Sequence, residues 1–478
     1  MKQMDSADAV WLYIEPAEES MHVSLVCVYE PGQLAPLTLE ELQVHLQDRL
    51  VSQLPAFRRR LRQIPFHIDF PYWIDESHVD IGRHVRERQV TSPGDWDALL
   101  ASAIEIHGEP LDKDSPLWDF TLVTGVDRAS ELPAGSFAIV CRFHHAMVDG
   151  KSVMELVGLL HDVLPDDAVA SLPTPTPTPT PTPQRGDGGG PSLAAIALRA
   201  GAHAIVHPTE MLRRVSRHLP VLGGQLLRLQ PKLPPTQVPR TRFNHQVTKD
   251  RRLGFAEFDI NRLRTARSAA PGCTLNDVAL TVIGGALRSY LDALGELPDE
   301  SLVTACPISV RAEQDGLALG NQVSAMFVPL RTDVASSVVR LEAIAASTRA
   351  AKEREEGPVG AKLLTEIRTN MTAAASAAAA RLLLLAAHRM IFINTIVTNV
   401  PGPQEPIYFM GRRMRMNLPV VALLDGMGMI HIVTSYAGKL SIAFVVDATA
   451  MPDPQQYEKL LRASLEELEL GAANASAT

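Results

Sequence analysis

Four cysteines in 478 residues (Cys27, Cys141, Cys273 and Cys306) are too few and too far apart for a disulfide scaffold. With no CxxC pair among them, a zinc ribbon does not fit either, and this usage suits a reducing cytosol. There is no run of 18 or more uncharged apolar residues, so a membrane-spanning helix is not expected. The opening MKQMDSADAVWLYIEPAEES places acids where a secretory leader needs an apolar stretch. A net charge of -9 gives no basic excess for phosphate contacts and argues against a nucleic-acid binder. Familiar catalytic signatures are missing too: there is no HExxH and no GxSxG. Asp149-Gly150-Lys151-Ser152 looks like the end of a P-loop, but its first glycine would fall at His145. Gly426-Met427-Gly428 lacks the third glycine of a dinucleotide fingerprint. Against these absences stands a greasy chain, 46% hydrophobic and only 21% charged, long enough for two or three domains of roughly 150 residues.

The clearest internal boundary is PTPTPTPTPTP at 173–183, followed by QRGDGGGP. Alternating proline enforces extended polyproline geometry and cannot build a core, so 173–191 reads as a linker. Residues 1–172 before it mix strand and helix patterns. His22 to Tyr29 and Phe137 to Phe143 read as strands, and Val153, Leu156, Val157, Leu160 and Val163 follow helical spacing. Ser152 and Glu155 form an S-x-x-E capping box at the start of that helix. Residues 191–240 carry seven cations and one acid, Glu210, so the remainder of the chain is at -15. Within the 192–240 crossover segment, Met211, Leu212, Val215 and Leu219 share one helical face beside Arg213, Arg214 and Arg217. That pattern suits a helix lying on anionic lipid, or one packing on an acidic domain. From 241 to 470 strands and helices alternate again, with helices expected at 275–291, opened by Thr274 with Asp277 three residues on, and at 373–387. Strands are expected at 302–310, 394–399, 431–436 and 440–446. Residues 471–478 are expected to be a disordered tail. The coarse picture is α/β, two halves joined by a linker.

One constellation carries chemistry: Phe143-His144-His145-Ala146-Met147-Val148-Asp149-Gly150, an HHxxxDG with about 0.002 occurrences expected by chance from this composition. It sits at a strand end before a helix, where rigid scaffolds present reactive groups. Adjacent side chains of a strand point to opposite faces, so only one histidine can face a pocket. A histidine with its ordinary pKa near roughly 6.5 is largely neutral at pH 7 and can accept a hydroxyl proton as a general base. Asp149 either orients an imidazole, anchors the loop through an arginine, or caps the next helix. Gly150 allows the turn. Cys141, four residues before His145 inside a strand, reads as core rather than nucleophile.

HHxxxDG resembles the active-site signature of the CoA-dependent acyltransferase superfamily. Further motifs are similar to the bacterial wax ester synthase/diacylglycerol acyltransferase family within it: Pro116-Leu117-Trp118, Thr274-Leu275-Asn276-Asp277 and Asn399-Val400-Pro401-Gly402-Pro403. Asp8-Ala9 through Met21-His22-Val23, and Ser435-Tyr436-Ala437-Gly438 with Asp447, resemble it as well. The resemblance covers nearly the whole chain outside the Pro-Thr linker and roughly the last ten residues.

The resemblance implies two chloramphenicol-acetyltransferase-like domains (α/β, α+β) with a substrate channel between them. It implies His145 as general base, with His144, Asp149 and Gly150 holding the site's geometry and Arg311 a candidate partner for Asp149. Asn276 is implied as a hydrogen-bond donor near the reacting carbonyl. Pro116, Leu117, Trp118, Asp277, Asn399, Pro401 and Gly402 are implied to bind substrate or shape its tunnel. The implied reaction moves a long-chain acyl group from acyl-CoA, a co-substrate, to diacylglycerol or a fatty alcohol. No metal and no permanently bound cofactor take part. The implied location is cytoplasmic, with peripheral contact to a membrane or lipid inclusion. Two other readings share the motif: a carrier-protein-dependent condensation or polyketide-associated acyltransferase, which should lack the other motifs, and a non-catalytic lipid-droplet protein, which has no chemical need for HHxxxDG.

Overall fold

A computed structural model describes residues 2–15, 21–126, 128–130, 132–148, 150–164, 238–309, 323–355, 373–387 and 391–477. The expected linker, all but the last three residues of the basic segment, Asp149 and Arg311 lie outside the described residues.

The first half runs β1 (Lys2–Gln3), α1 (Ser6–Tyr13), β2 (His22–Glu30), α2 (Leu39–Leu46), β3 (Arg59–Arg62), β4 (Tyr72–Asp75), α3 (Ile81–His84) and β5 (Val85–Gln89). It continues with α4 (Trp96–Gly108), β6 (Trp118–Thr124), β7 (Phe137–His144) and α5 (Gly150–Leu160). The second half opens with β8 (Arg251–Asp259), α6 (Ile260–Arg267), α7 (Leu275–Ala293), β9 (Val303–Ser309), β10 (Val323–Pro329), α8 (Ser337–Glu355) and α9 (Ala373–Ala387). It closes with β11 (Thr395–Pro401), β12 (Tyr408–Phe409), β13 (Arg412–Val421), β14 (Met429–Tyr436), β15 (Lys439–Asp447) and α10 (Pro454–Ala477).

Short polar side chains set the helix starts. Asp5 accepts from Ala7 N at α1, and reciprocal capping boxes open α2 (Thr38, Glu41) and α7 (Thr274, Asp277). The box expected at Ser152 is not where the helix begins: α5 starts two residues earlier, at Gly150, and the side chain of Ser152 lies outside the described residues.

Each half is built on a six-stranded sheet, ordered β12-β13-β2-β7-β6-β5 and β10-β9-β11-β14-β15-β8, and a small β1-β4-β3 sheet flanks the first. The two large sheets share a core. Val26 and Val28 of β2, Val140 of β7, Leu418 and Val420 of β13, Ile430 and Ile432 of β14 and Val445 of β15 meet there, joined by Leu99, Ala103 and Ile106 of α4. Alternation along β7 sends Phe137, Ile139, Cys141 and Phe143 into the first half's own core and Ala138 and Val140 into the shared one. With both faces covered, every residue of β7 is buried, which is why it reads as a continuous apolar run.

Two expectations are corrected. The second half is not self-contained, because β13 leaves it to pair antiparallel with β2, from Arg413 opposite Glu30 to Val421 opposite Val23. Its alternating Met416, Leu418 and Val420 are what the shared core requires. The last residues are not a disordered tail, since α10 continues to Ala477. Ala472 is buried there, and a Cβ on Gly471 would stand 2.7 Å from Val338 Cγ2, so α10 packs tightly on α8 through its C-terminal turns. Among the described residues no helix is long and apolar enough to cross a membrane.

Close approach at α7 generates a stability test. A Cβ on Gly284 would stand 2.3 Å from the carbonyl oxygen of Leu330, whereas one on Gly158 of α5 meets nothing within 4 Å. Gly284→Ala is expected to cost about 1–3 kcal/mol by overpacking. Gly158→Ala is expected to stabilise by up to about 1 kcal/mol through helix propensity. Urea midpoints of the two variants check both signs.

Candidate active site

Strand β7 lies between β2 and β6, and at its end consecutive amides bond to opposite neighbours. His144 N donates to Leu117 O at 3.0 Å, on the β6 side, and His145 N donates to Met21 O at 2.8 Å, on the β2 side. The chain then turns, with Met147 N donating to His144 O at 2.8 Å. His144 follows Val140 and Arg142 on the face toward the second half and is buried, while His145 is only partly buried.

The His144 ring is held at Nδ1 and faces Glu15 with Nε2, which makes no hydrogen bond. Nδ1 accepts from Ala146 N at 3.0 Å, which leaves the proton on Nε2, 3.5 Å from Glu15 Oε1. Glu15, whose side chain is 3% exposed, also accepts from Lys113 Nζ at 2.5 Å and from Met21 N at 3.3 Å. Burial alone would raise the Glu15 carboxyl. The adjacent His144 and the hydrogen bond from Lys113 outweigh burial and hold it below the ordinary glutamate value. The 3.5 Å contact to His144 is long for a hydrogen bond, so the Lys113 bond is the stronger anchor.

A buried polar layer backs the pair. Arg142, 1% exposed, donates from Nε to Asp119 Oδ1 at 2.7 Å and from Nη1 to the Ile106 carbonyl at 2.6 Å. His22 stands opposite His144 in the β2–β7 register and donates to the carbonyl of His107, whose Nδ1 bonds Ser24 Oγ at 2.7 Å. Burial, and then the neighbouring Arg142 cation, hold His22 down at about 3. Burial likewise keeps His107 well below the ordinary histidine range. Both are therefore neutral at pH 7. On the other side, the indole of Trp11 lies flat against the His145 imidazole, with ring centroids 3.6 Å apart and planes 9° from parallel.

The remaining expected residues divide. Asn276 and Asn399 come together, Asn399 Nδ2 donating to Asn276 Oδ1 at 3.2 Å, and both are accessible. Pro401 is exposed at the end of β11. A Cβ on Gly402 would stand 2.5 Å from Ser435 O and 3.1 Å from Met154 Cε, so this glycine lets the β11 end close on β14 and on α5. Three residues expected to bind substrate or shape its tunnel are buried in the framework. Asp277 is buried, its carboxylate filled by Thr274 N at 2.7 Å, Thr274 Oγ1 at 2.8 Å and Thr348 Oγ1 at 2.7 Å. Trp118 is 1% exposed, donates to Phe57 O at 2.9 Å and stacks on His84 at 4.3 Å. Leu117 is fully buried beside a buried Pro116, and its carbonyl holds the His144 amide. Cys141 packs in the core, where burial pushes its thiol well above the ordinary range and disfavours the thiolate a nucleophile needs. Among the described residues no cluster of His, Cys, Asp or Glu is placed to hold a metal ion.

Glu15, Lys113, Trp11 and the Arg142–Asp119 pair were not legible as site residues. The only local trace is the spacing of Trp11 and Glu15, four apart at the end of an N-capped helix. A separate cavity of about 400 Å³ lies where α4 meets the starts of β8 and α10, lined by Asp97, Glu105, Arg251, Asp453 and Glu458 among others. Burial pushes Glu458 up to about 7. None of the expected site residues lines this cavity.

Comparison with known proteins gives a consistent result. Residues 4–279 match the model of the wax ester synthase/diacylglycerol acyltransferase catalytic domain, and residues 319–469 match that of the WS/DGAT C-terminal domain. A protein of Mycobacterium tuberculosis named "Probable diacyglycerol O-acyltransferase tgs2" is 30% identical over 472 residues, covering 98% of this chain and 99% of its own. The solved wax ester synthase/diacylglycerol acyltransferase of Marinobacter aquaeolei superposes with a TM-score of 0.69 at 24% identity, covering 99% of this chain and 100% of its own. The starter condensation domain of rhizomide synthetase superposes with a TM-score of 0.56 at 16% identity, covering 99% and 95%. At these identities the two structures speak for the fold.

The Glu15 contacts generate a pH-dependent prediction. A carboxylate whose native pKa is depressed stabilises above its ordinary value, and that contribution is lost as pH falls through the native one. Glu15→Gln is therefore expected to cost about 1–3 kcal/mol at pH 7. The gap from wild type should close as pH drops below the ordinary glutamate pKa of about 4.3. Denaturant midpoints of both proteins at pH 7 and pH 3 measure it, and an equal gap at the two values would contradict the assignment.

Proposed function

The chain belongs to the wax ester synthase/diacylglycerol acyltransferase family, and from that premise we propose that it transfers a long-chain acyl group from acyl-CoA to the hydroxyl of diacylglycerol or of a fatty alcohol. Diacylglycerol as acceptor is supported by the name of its mycobacterial relative, and a fatty alcohol by the family name. Acyl-CoA is a co-substrate, and CoA leaves as the free thiol once the acyl group is transferred.

The observation that carries the mechanism is the unequal treatment of the two histidines. His144 is buried, its Nδ1 taken by the Ala146 amide and its Nε2 facing the Glu15 carboxylate at 3.5 Å, while His145 stands partly exposed just beyond the strand with Nδ1 buried. His145 acts through Nε2 as general base. It takes the acceptor's hydroxyl proton as that oxygen bonds to the thioester carbonyl carbon, the C–S bond breaks, and the proton passes to the departing sulfur. No acyl-enzyme forms. Because the amide oxygen of Asn276 accepts from Asn399, its NH2 faces away from that partner, which supports it as a donor to the developing oxyanion. The positive segment between the halves, +6 over residues 191–240, supports peripheral contact with an anionic lipid surface or lipid inclusion.

Purified protein given palmitoyl-CoA with diacylglycerol or hexadecanol is expected to release thiol and form the matching ester, and thiol release with neither acceptor would overturn the assignment. His145→Ala is expected to lower turnover by at least about 10²–10⁴-fold with an unchanged circular dichroism spectrum. Near-normal turnover in that variant would remove His145 as the base.

A further inference from the structure

We propose that Trp11 is a positioning residue for the base, a flat platform that fixes the plane of the His145 imidazole and stabilises its protonated form during turnover. The inference rests on the reading of His145 as the base.

The geometry is specific. Helix α1, capped by Asp5, brings the indole to a centroid distance of 3.6 Å from the imidazole, with only 9° between the planes. Full face-to-face overlap of this kind leaves the His145 ring free to slide but not to tip. The indole is itself held from two sides. It packs against the first half's core, which includes Ala146, Met147 and Val148 of the histidine turn. It also packs against the small cluster of Ile14, Met21, Ala380 and Ala422, so α9 presses α1 onto the site. The His145 amide bonds Met21 O at 2.8 Å, so backbone and ring are fixed by neighbouring parts of one N-terminal segment.

The ring has an electrostatic consequence as well. General-base catalysis turns imidazole into imidazolium, and a cation over an indole face is attracted by the ring quadrupole. The platform therefore favours the state that proton transfer creates, and its loss should lower the apparent pKa of the base. Among the described residues, charged or titratable groups on the elements packed about the pair include Asp8 and Glu15 of the N-terminal segment, Lys113 bonded to Glu15, Arg142 bonded to Asp119, His22, His144, and Glu155 on α5. A substitution at Trp11 alters none of them, so a shift in the base can be assigned to the lost ring.

Three variants, Trp11→Ala, Trp11→Leu and Trp11→Phe, test this alongside His145→Ala in the full-length protein. The readouts are kcat, KM for palmitoyl-CoA, the pH dependence of kcat/KM and the melting temperature. Trp11→Leu fills most of the volume without a π face. It is expected to lower kcat by about 10–100-fold with KM within about twofold. The acidic limb of its pH profile should move down by about half a unit. Trp11→Phe is expected to recover most of the rate and most of the midpoint. If Trp11→Ala melts early, the Leu and Phe pair still decides the matter. Wild-type kcat with an unmoved midpoint in Trp11→Leu, or an effect confined to KM, would overturn the proposal while leaving His145 in place if His145→Ala is inactive. An active His145→Ala would instead overturn the underlying reading.

Discussion

Everything at this site depends on two consecutive backbone amides that bond in opposite directions. A strand's amides alternate between its neighbours, and β7 ends on that alternation, His144 N turned to β6 and His145 N to β2. Two adjacent histidines are thereby held in different surroundings. One side chain is driven into the buried face between the sheets, and the other is carried past the last ladder bond to a partly exposed position. The requirement is strict on the flanking strands, because Leu117 and Met21 must present carbonyls at matching heights on either side.

A buried histidine is costly without polar partners, and the layer around it supplies several. Arg142 would be an unpaired cation at 1% exposure without Asp119 and the carbonyl at Ile106. His22 and His107 stay neutral, His22 Nε2 donating to the His107 carbonyl and His107 Nδ1 bonding Ser24 Oγ. Glu15 adds a negative charge beside His144, with Lys113 as its counter-ion. Apolar packing between the sheets then seals the layer, and α4 contributes both to that packing and, through its C-terminal carbonyls, to holding Arg142. The same device couples the two halves, because the core that shields the histidines is built from strands of both.

Much of this was legible in local sequence. Strand β7 reads as an apolar run, α7 announces itself by Thr274 and Asp277, and HHxxxDG marks the turn, because each signal lies within a few neighbouring residues. What was not legible is long-range. Nothing near Met416 or Leu418 says that β13 will leave its own half, since an alternating strand pairs equally well with either sheet. Glu15 lies 98 residues from Lys113, and Trp11 lies 134 from His145, so their partnerships exist only after folding. Asp277 and Trp118 were ambiguous for the opposite reason. Their residue types suit a substrate pocket and a framework equally, and only burial with every polar atom satisfied decides between the two.

The division of labour between the histidines is the central claim, and His144→Gln set against His145→Gln tests it most directly, with turnover and melting temperature measured for each. The account predicts that His145→Gln melts with wild-type protein and loses turnover by about 10²–10⁴-fold. It predicts that His144→Gln, which disturbs the contacts to Glu15 and the Ala146 amide, melts early and retains measurable turnover. The reverse pattern, with activity lost at His144 and stability lost at His145, would contradict it.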